Sequence, residues 1–79
     1  MKRVNLRKIK SLRKQRKLTQ KYMAKLLGYE TDVGYHYLET GRCQIRAEQL
    51  AIIASELGVS VEDLYNHDTA ETVAINKTG

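Results

Sequence analysis

The stretch TQKYMAKLLGYETDVGYHYLETG, residues 19–41, decides how the rest of the chain reads. Its first half has helical spacing: Met23, Leu26 and Leu27 recur at three and four residues, as the inner stripe of a helix does. Thr19 precedes that stripe, and its hydroxyl can accept a backbone N–H of the first turn. Gly28 follows it and can take the left-handed conformation that closes a helix. Thr31 or Asp32 can then cap a second helix, which turns Tyr35 and Leu38 inward and ends near Gly41. Residues 19–41 therefore predict two short helices packed around a glycine-containing turn.

Working outward, the preceding residues form a further amphipathic helix. Asn5 is a competent cap, and Leu6, Ile9 and Leu12, with the stem of Arg16, lie along one stripe to about Lys17. The other face carries Arg7, Lys8, Lys10, Arg13, Lys14 and Lys17. On the far side, a helix over residues 47–57 places Leu50, Ile53, Ala54 and Leu57 on one face, and Gly58 closes it. Ser60 with Asp63 has the spacing of a capping box for a short fifth helix, residues 61–66. Residues 69–79 show no helical stripe, only a β-prone piece at 72–75, and are expected to form a flexible tail beyond a domain of residues 1–68.

At 79 residues the chain has room for one small core. With a single cysteine, Cys43, no intrachain disulfide can form. Two histidines far apart, His36 and His67, give no zinc-ligand spacing. No apolar run approaches the roughly 20 residues of a membrane span, and no apolar segment follows the charged N-terminus as in a secretory leader. The expectation is a cytoplasmic protein with no metal, no cofactor and no evident small-molecule ligand.

Charge is distributed unevenly. Residues 1–29 carry eleven Lys and Arg and no acid, while residues 30–79 carry three Lys and Arg against nine acids. One end is strongly cationic, a layout suited to a polyanion. A basic amphipathic helix can also lie on anionic lipid. The apolar stripe of residues 6–17 is narrow, free of aromatics and needed to cover the following helices, so no membrane partner is expected.

Four pieces, LTQ at 18–20, AKLLG at 24–28, LETG at 38–41 and ELGVS at 56–60, resemble the phage repressor and Cro (XRE-type) family of helix-turn-helix DNA-binding proteins. The likeness runs from about residue 9 to residue 65. It implies an all-α, five-helix, lambda-repressor-like domain that binds double-stranded DNA, often as a homodimer on a symmetric operator. The turn at residues 28–32 is one residue longer than the commonest family form, so positions are counted back from Gly41. That count implies base contacts from Asp32, Val33, His36 and Tyr37. Phosphate contacts are implied for Gln20, Lys21, Thr40, Arg42 and Arg46, with help from loop amides after Gly41; Gln20 can instead face the recognition helix. The resemblance further implies an ion pair between Arg13 and Glu39, tying the first helix to the end of the third. Three departures stand out: Lys17 where the family often has glycine, Ile45 for a frequent proline, and Arg46 for a capping serine.

The base-facing set contains none of the Arg, Asn or Gln side chains that make bidentate base contacts. Asp32 can accept from a cytosine amino group or cap the helix, and Val33 can meet a thymine methyl. His36 can donate to a guanine or a phosphate. Tyr37 can offer its ring to a methyl and its hydroxyl to a base edge. Gly34, inside the helix, can let the backbone approach DNA. Tyr22 can pack over the core edge or donate to a phosphate. The expected function is sequence-specific transcriptional regulation, of repressor type; the alternative is an antitoxin-like interaction module on the same fold. No nucleophile–base constellation or glycine-rich phosphate loop suggests an enzyme.

Overall fold

A computed structural model describes residues 3–66. These fold as four α-helices, α1 (Leu6–Gln15), α2 (Gln20–Leu26), α3 (Asp32–Thr40) and α4 (Ala47–Leu57), followed by a 3-10 turn at Glu62–Leu64. The architecture is all-α, but the expected fifth helix is only that turn. Beyond it the backbone is extended at Tyr65, which forms an antiparallel bridge with Val4. Asn5 N donates to the Leu64 carbonyl at 2.7 Å and Asn66 N to the Arg3 carbonyl at 2.7 Å. Pairing with the N-terminal segment thus draws the chain out of helical geometry. The expected tail lies outside the described residues.

Local chemistry sets the helix starts. The Asn5 side chain accepts from Lys8 N at 3.0 Å and the Thr19 hydroxyl from Tyr22 N at 3.0 Å. Each satisfies an amide that has no partner within its own helix. At α4 the cap position is Arg46, whose side chain makes no capping bond. Gln49 takes over from inside the first turn, its Oε1 accepting Arg46 N at 2.9 Å. Ser60 and Asp63 bond reciprocally to each other's amides, both at 3.1 Å.

All four described helices end in one way. A residue with positive φ follows the last turn, and the next amide donates back across that turn. Gly28, Gly41 and Gly58 hold this position after α2, α3 and α4. After α1 it is Lys17, with φ 59, flanked by Leu18 N donating to the Arg13 carbonyl at 3.0 Å. The first helix therefore stops at Gln15, two residues earlier than its apolar stripe suggests.

Ile9, Met23, Tyr35, Leu38, Ile53, Leu57 and Leu64 are the large side chains sealed in the core, drawn from every element. Leu26, expected inside, is exposed, and Ala24 is buried in its place. Met23, Ala24 and Leu27 share the inner side of this seven-residue helix. Spacing from Met23 fits Leu26 equally well, so periodicity alone could not separate the two arrangements. No helix among the described residues is long and apolar enough to cross a membrane.

Gly34 has a packing role. A Cβ there would lie 2.6 Å from Cγ of the Tyr29 ring. The ring cannot swing aside freely, because Gln49 Nε2 donates to the Tyr29 hydroxyl at 2.9 Å. Gly34 thus admits Tyr29 against α3, whatever the helix approaches on its outer side. Replacing Gly34 with Ala gains about 1 kcal/mol of helix propensity but forces an overpacked contact that costs about 1–3 kcal/mol. Urea unfolding should show Gly34→Ala less stable than the parent. In a Tyr29→Ala background the same change should stabilise. Lys17→Gly should raise stability by up to about 1 kcal/mol, because it relieves a left-handed lysine.

Candidate nucleic-acid interface

The third helix divides its residues between two sides. Tyr35, Leu38 and Glu39 are buried, whereas Val33, His36 and Thr40 are exposed and Tyr37 is half-buried. The outward set follows the spacing i, i+3, i+4, i+7, one continuous stripe along the helix.

A buried carboxylate fixes which side faces out. Glu39 Oε2 accepts from Arg13 Nε at 2.8 Å and from the Tyr35 hydroxyl at 2.7 Å. Its Oε1 accepts from Arg13 Nη2 at 3.1 Å and from Gln20 Nε2 at 2.9 Å. Arg13 Nη1 donates in turn to the Leu18 carbonyl at 2.7 Å. The expected Arg13–Glu39 pair is thus the centre of a network joining α1, the turn after it, the first residue of α2, and α3. Burial pushes the Glu39 carboxyl up, but the bonds from Arg13, Tyr35 and Gln20 outweigh it and hold the group below its ordinary range. The Glu39 bond outweighs burial at Arg13 and raises its guanidinium further. Burial, then the bond to Glu39, raises the Tyr35 hydroxyl well above its usual value, so it stays a donor.

Each residue singled out from the sequence now has a place. Asp32 is the first residue of α3 and exposed; Thr31 precedes it in the cap position without a side-chain bond. The Asp32 carboxylate sits at the positive end of the helix. Gln20 directs its amide nitrogen to Glu39, so of its two expected orientations the one toward α3 is present. Lys21 is exposed in the first turn of α2. The Thr40 hydroxyl donates to the His36 carbonyl at 3.0 Å, a bond it must exchange before donating elsewhere.

Arg42 lies over the Tyr37 ring, its guanidinium carbon 5.0 Å from the ring centroid. That is cation–π range, and it holds an exposed cation beside the outward stripe. The expected contribution of loop amides is reduced: Arg42 N and Cys43 N both donate to the Tyr37 carbonyl, at 2.9 and 3.2 Å. Arg46 is exposed, 3.9 Å from the equally exposed Glu48 carboxylate, a loose pair that leaves its guanidinium accessible. Tyr22 donates its hydroxyl to Glu56 at 2.8 Å, a bond it must exchange before donating to a phosphate.

Sequence reasoning missed Tyr29 and Gln49, which link α4 to the start of α3. It also missed the donation from Tyr35 to Glu39, whose signal was present: the two residues are four apart, one above the other on a helix.

Comparison with known protein families gives a match to the helix-turn-helix family HTH_3 over residues 9–64. The chain belongs to the XRE-type helix-turn-helix family. Neither the curated proteins nor the solved structures contain a match to it. The family is one of DNA-binding transcription regulators, and membership implies DNA binding by this chain. The matched span takes in all four helices and the 3-10 turn except the first three residues of α1.

Breaking the buried pair from one side leaves an uncompensated charge, so Glu39→Gln should destabilise the domain by about 3 kcal/mol at neutral pH. Because the folded carboxyl lies below its unfolded value of about 4.3, its contribution is present above that pH. It is lost as pH falls through the lower folded value. Urea unfolding of both proteins between pH 7 and pH 2.5 should show their stability difference shrinking in acid.

Proposed function

We propose that this chain is a sequence-specific double-stranded DNA-binding regulator, a repressor of phage or mobile-element type, which places α3 in the major groove. The carrying observation is the outward stripe Val33, His36, Tyr37 and Thr40, set by a buried network and flanked by the Tyr37-held Arg42. Asp32, Val33, His36 and Tyr37 face the bases in this reading. Helix α2 crosses the backbone, and Lys21, Arg42 and Arg46 neutralise phosphates. Thr40 joins them once its hydroxyl leaves His36. Gln20 acts by positioning α3 through Glu39, and also at a phosphate through what its amide nitrogen leaves open. Direct contacts position the domain through phosphates and specify sequence through base edges.

A unit this small makes few contacts, which favours a homodimer on a symmetric operator with half-sites about one helical turn apart. The antitoxin-like alternative needs a segment that folds on a partner. Residues 69–79, a candidate for such a segment, lie outside the described residues, and no observation among the described residues favours that alternative.

Random duplex DNA carried through rounds of selection with the purified chain should yield a symmetric site. Anisotropy titrations on that site should show log affinity falling with log salt, at roughly −0.9 per neutralised phosphate. Arg42→Ala should weaken binding to all sequences alike and flatten that slope by about one phosphate. A salt-independent affinity would reject the mechanism.

A further inference from the structure

Helix α3, DVGYHYLET, carries no Arg, Lys, Asn or Gln. Its face therefore has none of the side chains that pair bidentately with guanine or adenine in the major groove. The remaining polar groups are poor substitutes. Asp32 only accepts, the exposed His36 imidazole has no two adjacent groups with which to bond a base edge bidentately, the Thr40 hydroxyl is bonded within its own helix, and Arg42 lies beyond the helix end, over Tyr37. Beside His36 and Thr40, the stripe presents two apolar groups. Val33 is 48 % exposed, the most exposed of the large hydrophobic side chains among the described residues, and one helical turn on is the Tyr37 ring. That ring is held by Arg42, with the His36 ring 6.3 Å away. Valine is fixed in essentially one helical rotamer, so these two groups form a preset apolar surface.

The apolar feature that a base pair offers in the major groove is the C5 methyl of thymine. We infer that Val33 and Tyr37 specify the operator by enclosing thymine methyl groups, so that the half-site under α3 is read mainly through methyl contacts and not through paired hydrogen bonds. The inference rests on the DNA-binding reading above and names the base feature that it recognises. Asp32, ahead of Val33, and His36, between Val33 and Tyr37 on the stripe, add single hydrogen bonds. Val33 takes the methyl nearer the start of the helix and Tyr37 the one nearer its end.

Replacing thymine by deoxyuridine removes the methyl and leaves every hydrogen-bonding group in place. With the full chain and its selected duplex, single replacements under α3 should each weaken binding about fourfold, the value of one buried methyl. Val33→Ala, an exposed change that leaves the core intact, should abolish the response at one position and keep it at the other. Tyr37→Ala should do the reverse. Two results overturn the inference while leaving DNA binding intact: deoxyuridine duplexes that bind as tightly as the parent, or a selected half-site without thymine. A methyl response that persists undiminished in both variants would overturn it as well, since the methyl would then act through duplex shape. If no duplex is selected at all, the DNA-binding reading itself falls and takes this one with it.

Discussion

The Glu39 carboxylate is the constraint on which the structure depends. A charged group nine-tenths removed from water is tolerated only when its lone pairs are filled, and here four donors from three side chains fill them. Among the described residues no buried side-chain nitrogen or oxygen lacks a partner. The donors come from α1, the start of α2 and α3 itself, so the network sets the relative placement of three helices. It also sets the rotation of α3 about its own axis: with Tyr35 and Glu39 turned in, Val33 and Tyr37 must turn out.

A second link holds the other end of that helix. The Tyr29 ring lies against Gly34, its hydroxyl receives Gln49, and Gln49 secures the Arg46 amide that begins α4. Helix α3 is therefore held near its first turn through α4 and near its last through α1 and α2. For a domain without disulfides, such paired attachments present a surface in one orientation, and preorganisation of that kind lowers the entropic cost of binding. The loop after Gly41 continues the design, because Arg42 rests on a ring that α3 supplies.

Local signals were readable in the sequence. The Asn5 and Thr19 caps, the closing glycines and the limits of α4 all follow from short-range chemistry, and the structure has each of them; the left-handed backbone at Lys17 was pointed to only by the family's frequent glycine there. The Arg13–Glu39 pair came through family resemblance, since nothing local connects residues 26 apart. What escaped was tertiary. Whether Leu26 or Ala24 faces the core depends on where α3 and α4 pack, and the purpose of Gly34 depends on Tyr29 arriving from a loop. The fifth helix gave way to a 3-10 turn because the N-terminal segment competes for its backbone. At the candidate interface, residue positions were legible but hydrogen-bond states were not. In the folded chain the Gln20 amide, the Thr40 hydroxyl and two loop amides already have partners.

In the proposed mode of binding, one face of α3, with Arg42 beside it, is the surface that meets DNA. Backbone amide NMR of the isotope-labelled chain, titrated with its selected duplex, tests it most directly. The largest shifts are expected at Val33, His36, Tyr37 and Arg42, with Ile52 and Val61 on other elements nearly unmoved. Shifts concentrated at Ile52 and Val61, with α3 silent, would contradict it.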